Sequence, residues 1–218
     1  GLLTIEVSVA ASQDDAEEGI NQQVYLDSSD LELVYDSYNN AGNQTVGLRF
    51  AGVSIPAGAT IINAWVQFKV DEAGTAGCVL AVHGHDTDNA ASFDASNGNI
   101  SARPLTAAST VWAPDGWPAV GAAAVSQRTT DISDVVQEIV DRPGWSSGNA
   151  MALVLTGSGK RVAESFDGEP NGAPLLHIEF GIGEAVNKAP TTTAGSDLQL
   201  TLPLDSAWLA GSVTDDGL

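Results

Sequence analysis

The first 48 residues carry nine acidic side chains (Glu6, Asp14, Asp15, Glu17, Glu18, Asp27, Asp30, Glu32 and Asp36) and neither Lys nor Arg. Carboxylates this dense repel one another unless a cation screens them. Asp14, Asp15, Glu17 and Glu18 crowd into one short stretch. A closing β-sandwich is expected to bring that stretch near Asp30 and near Asp167, late in the chain. Carboxylates and loop carbonyls together supply the hard oxygens that Ca²⁺ takes. Asp14, Asp15, Glu17, Glu18, Asp30 and Asp167 are therefore the expected ligands of a structural Ca²⁺. No EF-hand spacing accompanies them, and the plain alternative is a solvated acidic rim.

The aromatic residues suggest a second kind of chemistry. An aromatic face stacks on the apolar face of a sugar ring, and an exposed patch of this kind marks a binding surface. Trp112 and Trp117 bracket the loop Ala113-Pro114-Asp115-Gly116 and are the expected sugar platforms, with Tyr25, Tyr35 and Tyr38 next in rank. Trp145 follows a helix stop and is expected to pack as a lid on the core, whereas Trp65 points to the face opposite a core-facing set. His83 and His85 alternate on a strand with Asp86 and Asp88 after it, but no further ligands are spaced for a transition metal. No nucleophile elbow, zincin helix or phosphate loop is present. The chain is accordingly expected not to be an enzyme.

The elements that must carry these residues have period two. Leu3, Ile5, Val7 and Val9 alternate with polar residues. Ile61 to Val70 is the longest such run, with Ala64, Val66, Phe68 and Val70 on one face. Further β-favouring runs are Val24 to Leu26, Leu31 to Tyr35, Val46 to Phe50, Cys78 to His83, Ala150 to Thr156, Arg161 to Phe166 and Leu175 to Phe180. Turn signals punctuate them at Ile55-Pro56-Ala57-Gly58, Asn97-Gly98 and Asp167-Gly168. This pattern predicts an all-β, jelly-roll-like antiparallel β-sandwich over residues 1–182. One segment differs. Ile132, Val135, Val136, Ile139 and Val140 follow the spacing of an amphipathic helix, capped by Thr130 or Asp131 and stopped by Arg142-Pro143-Gly144.

After a linker at 183–190, residues 191–218 read as a partial β segment. Leu198, Leu200 and Leu202 alternate after Asp197, and some thirty residues cannot bury a core of their own. A strand with unpaired edges adds to a sheet edge. Asp197, Leu198, Leu200 and Leu202 are thus the expected assembly residues, pairing with the sandwich or with a neighbouring copy to build a homo-oligomer or filament.

Three stretches carry a family resemblance. They are Thr45-Val46-Gly47-Leu48-Arg49-Phe50 running through Ile55-Pro56-Ala57-Gly58 into the long strand, Asp131-Ile132-Ser133 through Trp145 to Ala150, and Ala163-Glu164-Ser165-Phe166-Asp167-Gly168 with Ala173-Pro174-Leu175-Leu176-His177-Ile178-Glu179-Phe180. Together they resemble the secreted DNRLRE-type jelly-roll domains, which are grouped with carbohydrate-binding modules. The third stretch departs from the Ser-Arg-Glu-like run usual in that family. The tail, through Asn187-Lys188-Ala189-Pro190, Ala194-Gly195-Ser196-Asp197 and Val213-Thr214-Asp215-Asp216-Gly217, is similar to the opening of PKD or immunoglobulin-like repeats. The resemblance implies a secreted, non-catalytic module attached to polysaccharide-active or cell-surface proteins.

Overall charge narrows the partners. The chain has 218 residues, 28 Asp+Glu against 8 Lys+Arg, and a formal net charge of −20. Such a polyanion repels phosphate backbones and anionic lipid surfaces. With 43% hydrophobic and 17% charged residues it lies within the globular range. No apolar run is long enough to span a membrane. High Asp and low Lys suit an extracellular or cell-surface setting rich in calcium. The expected partner is a polysaccharide or cell-surface glycan, and the alternative is self-assembly into a filament or matrix.

Overall fold

Alternation of apolar and polar residues forces each strand to bury one face, and two such faces close on each other. A computed structural model describes residues 1–38, 41–183, 191–193 and 211–214. The chain divides into two compact units, Gly1–Ile182 and Gly183–Leu218.

The first unit is an antiparallel β-sandwich. Its larger sheet contains β2 (Asp15–Glu18), β3 (Val24–Tyr25), β7 (Thr45–Phe50), β10 (Val79–His85), β11 (Leu105–Trp112) and β12 (Met151–Ser158), in the spatial order β11-β10-β12-β7-β2-β3. Facing it are two three-stranded sheets. One is β1 (Leu2–Ser8), β14 (Leu175–Gly181) and β8 (Thr60–Gln67) in that order. The other is β4 (Asp30–Glu32), β13 (Val162–Glu164) and β9 (Val70–Glu72). A short hairpin of β5 (Tyr35–Asp36) and β6 (Gly42–Asn43) leaves the sandwich between β4 and β7.

The core lies between the layers. Val46, Leu48 and Phe50 of β7 and Leu153 and Leu155 of β12 meet Ala64 and Val66 of β8 and Leu176 and Ile178 of β14, all fully buried. A smaller cluster lies on the other face of the large sheet, where Phe93 and Ile100 cover Ala16, Ala152 and Val154. Gly47 makes this possible, because a β-carbon there would stand 2.5 Å from the Phe93 ring.

The single α-helix among the described residues, α1 (Ser133–Val140), buries Val135, Val136, Ile139 and Val140. The N-cap is Ile132, without a side-chain cap, and not the expected Thr130 or Asp131; one residue earlier, Asp131 Oδ1 accepts the N–H of the first helical residue, Ser133, at 2.9 Å. The helix also closes the exposed edge of the large sheet. The Glu138 carboxylate accepts the Ala107 and Ala108 N–H groups of β11 at 2.8 and 2.7 Å, which removes two unpaired edge donors. Among the described residues no helix is long and apolar enough to cross a membrane.

Of the second unit the structure describes one antiparallel ladder, β15 (Thr191–Thr193) with β16 (Ser212–Thr214). The assembly residues expected from the sequence, Asp197, Leu198, Leu200 and Leu202, lie outside the described residues.

The expected platforms Trp112 and Trp117 are core residues. Trp117 is 0% exposed, its ring lies 6.3 Å from those of Phe68 and Trp112, and its indole N–H donates to the Ser126 carbonyl at 3.1 Å. Trp112 is buried and stacks on Phe68 at 5.4 Å. Both are corrected from ligand platforms to packing residues, because the loop between them folds back and pairs the Trp117 backbone with Gly74, which turns its ring onto Phe68 and Trp112. Trp145 is buried as the sequence implies, with its N–H on the Ile55 carbonyl at 2.9 Å. Truncating Trp117 to Ala is expected to cost about 3–5 kcal/mol of unfolding free energy. Denaturant melts of Trp117→Ala measure this, and a surface platform would lose far less.

Candidate functional site

The segment Asp14 to Glu18 becomes an interior strand, and all four residues of β2 are buried. Its antiparallel partners set which way each side chain points, since paired residues share a face. Asp15 pairs with Leu48 and Glu17 with Val46, two core residues, so both acids stand on the inner face. Ala16 pairs with Gly47 and faces outward with Glu18.

Each acid meets a different neighbourhood. Asp14 forms an ion pair with Arg49. Glu18 takes the Ile100 and Ser101 N–H groups on Oε2 at 2.8 and 2.9 Å and the Ser101 hydroxyl on Oε1, clamping the loop over the outer cluster. Asp15 Oδ2 accepts the Phe166 N–H at 2.8 Å. Asp167, in the same turn, accepts the Ser12 hydroxyl at 2.9 Å. The turn fits closely: a β-carbon on Gly168 would overlap the Ser29 carbonyl oxygen.

Glu17 is the most enclosed, at 1% exposure. Its Oε1 accepts the Glu32 N–H at 2.7 Å and Gln44 Nε2 at 2.6 Å. Its Oε2 is buried with no hydrogen-bond partner, and so is Oε1 of Gln44. Glu32 brings a second carboxyl against Glu17, with the Ser28 hydroxyl beside it. On its outer side Glu32 Oε1 lies 3.7 Å from Lys160 Nζ, which also reaches Glu72 at 3.5 Å.

The electrostatics follow from this enclosure. Burial pushes the Glu17 carboxyl up to about 9, and the facing Glu32 charge adds to the rise. Burial likewise raises Glu32, with Asp30 adding. Asp15 is pushed up to about 7 by burial, against the lowering effect of the Phe166 N–H and with the charges of Asp167 and Asp14 adding.

The sequence expectation that Asp30 joins the Asp14–Glu18 stretch is corrected. Asp30 is half-buried at the outer end of β4 and gathers with Asp71 and Glu72 of β9, their oxygens within 4.8 Å of one another. One pleat inward, Glu32 is the β4 residue that meets Glu17. Glu32 and Gln44 are the site residues that sequence reasoning missed. Gln44 shares the inward alternation of Val46, Leu48 and Phe50, which is the only local signal it carries.

Of the aromatic residues, Tyr38 is 89% and Tyr35 41% exposed on the β5–β6 hairpin. Trp65 lies on the outer face of β8, stacked on His177 at 3.7 Å with the Arg128 guanidinium 4.8 Å from its ring.

Two measurable consequences follow. Removing Arg49 leaves Asp14 as an uncompensated buried charge, so Arg49→Ala is expected to cost about 3–5 kcal/mol in denaturant melts. In buffer with chelator, stability is expected to fall as pH rises. The fold favours the protonated forms of Asp15 and Glu17, so their contribution is complete below their ordinary pKa values of 3.8 and 4.5 and is lost as pH climbs through about 7 and about 9. Melting temperatures of the chelated protein between pH 5 and 9 check the slope. No protein-family model matches the chain, and no curated protein matches it.

Proposed function

We propose that the Gly1–Ile182 unit is a non-catalytic, Ca²⁺-stabilised module that binds a polysaccharide or another cell-surface or matrix component outside the cell. The observation that carries the binding half of this reading is Tyr38. It stands almost fully exposed on a hairpin whose base is fixed: its own N–H donates to Asp36 Oδ1 at 2.7 Å, the Tyr35 N–H to the Gly159 carbonyl at 3.0 Å, and the Gln44 N–H to the Val34 carbonyl at 2.9 Å. An aromatic ring in solvent on a hydrogen-bonded hairpin base suits stacking on the apolar face of a sugar ring. Tyr35, on the same hairpin, extends the surface. The resemblance to DNRLRE-type domains points the same way.

The calcium half rests on the burial of Asp15, Glu17, Glu32 and Asp36 and on the closeness of the Glu17 and Glu32 carboxyls. These carboxyls are kept from water, and a bound divalent cation balances them.

The test is a glycan array on the intact chain with and without chelator, followed by Tyr38→Ala on any glycan retained. Tyr38→Ala is expected to weaken binding about tenfold, equivalent to roughly 1.4 kcal/mol of lost contact, with no change in melting temperature. Chelation at fixed ionic strength is expected to lower the melting temperature. A protein that binds no glycan with calcium present overturns the binding half of the reading.

A further inference from the structure

The inner face of the large sheet ends in two buried oxygens without a hydrogen-bond partner, one on Glu17 and one on Gln44, with the Ser28 hydroxyl close to the Glu17 carboxyl. Gln44 continues the inward line of Val46, Leu48 and Phe50, and Glu17 stands on the adjacent strand with its partner Val46. Their contact is direct, since Gln44 Nε2 donates to Glu17 Oε1 at 2.6 Å. The other oxygen of each, Glu17 Oε2 and Gln44 Oε1, is buried without a hydrogen-bond partner. The residues are 1% and 3% exposed. A buried acceptor in that condition costs free energy unless something fills it.

A proton shared between Glu17 and Glu32 would satisfy Glu17 Oε2 and leave the amide oxygen bare. Exchanging the two ends of the Gln44 amide does not help. It would set the amide oxygen against the Glu32 carbonyl and against the Glu17 oxygen that already accepts the Glu32 N–H, where the nitrogen now donates to both. A hard cation accepts carboxylate and neutral amide oxygens together. Charge favours it as well: Asp30 and Asp36 add to the negative field at Glu32, and Lys160 is shared outward with Glu72. The mixed set of two carboxylates and an amide suits the flexible coordination of Ca²⁺ better than the strict octahedron of Mg²⁺.

We propose that Glu17 Oε2 and Gln44 Oε1 ligate a hard divalent cation of the Ca²⁺ class at the inner end of β2, with Glu32 as the facing carboxylate. This rests on the calcium reading above and names its ligands. Asp14 and Glu18 fall outside the set, because an arginine and loop N–H groups already occupy them. The half-exposed group of Asp30, Asp71 and Glu72 lies outward of Glu32, across Lys160, and its Asp71 serves as the control.

The experiment is calorimetric titration of CaCl₂ into the chelator-stripped full chain, with melting temperatures read in chelator and in calcium. Four proteins are compared: the parent, Glu17→Gln, Gln44→Met and Asp71→Asn. The parent is expected to bind Ca²⁺ and melt higher with it. Glu17→Gln and Gln44→Met are expected to lose affinity at least about tenfold, and Asp71→Asn to keep it. In chelator Glu17→Gln is expected to melt no lower than the parent, because an amide mimics the protonated acid. Loss of calcium binding in that variant then reports a missing ligand and not a broken fold. Calcium binding that Asp71→Asn abolishes, and that Glu17→Gln and Gln44→Met spare, overturns this assignment while the calcium reading stands. No binding heat and no melting shift with Ca²⁺ overturns both and leaves a shared proton between Glu17 and Glu32.

Discussion

Running an acidic strand through the interior of a β-sheet is the constraint on which the rest of this molecule depends. β2 is hydrogen-bonded to β7 on one side and β3 on the other, so it cannot swing its carboxylates into water without tearing the sheet. An unpaired buried charge costs several kcal/mol, and the acids of this strand and its flank need compensation within a few ångströms of one another. The fold meets the demand piecewise. Arg49 reaches back along the neighbouring strand to Asp14, loop N–H groups from Ile100 and Ser101 converge on Glu18, and the Phe166 N–H arrives at Asp15.

These compensations tie distant parts of the chain together. Each partner lies far away in sequence: Phe166 is 151 residues from Asp15, and Ile100 is 82 from Glu18. The outer loop over Gly47, the late turn at Asp167-Gly168 and the β4 strand are all positioned by what β2 requires. The exposed hairpin inherits the arrangement, since it grows from the segment between Glu32 and Gln44, both of which donate to Glu17 Oε1. Its base is held further by the Leu33 N–H on the Arg161 carbonyl at 2.7 Å. Arg161 itself is buried, and its guanidinium donates to the carbonyls of Ala76, Pro114, Asp115 and Lys160. The exposed hairpin and the acidic interior are thus two sides of one structural unit.

Much of the architecture is legible in the residues because it comes from local periodicity. The alternation in Ile61 to Val70 and Leu175 to Phe180 returns as β8 with β9 and as β14, and the helical spacing from Ile132 to Val140 returns as α1 with its buried stripe. Trp145 also reads correctly, for a helix stop delivers it onto the core. Trp112 and Trp117 read wrongly as platforms. A tryptophan beside a Pro-Gly loop looks exposed, and only the return of that loop against Phe68 shows where the rings go. Asp30 reads wrongly for a related reason, because one pleat decides whether a β4 carboxyl meets β2 or β9.

What the sequence by itself determined is the class of fold and the uneven placement of charge: period two for the strands, one helix, and nine acids before the first base. Those features depend on neighbours a few residues apart. Tertiary structure alone decided which of the acids meet. Strand register and the pairing of segments more than a hundred residues apart set the partners, and neither leaves a mark on local spacing. Hence Asp14 and Glu18, which look alike beside Asp15 and Glu17, end on satisfied hydrogen bonds. Glu32 and Gln44, which no spacing links to Glu17, close around a carboxylate whose second oxygen is buried without a hydrogen-bond partner.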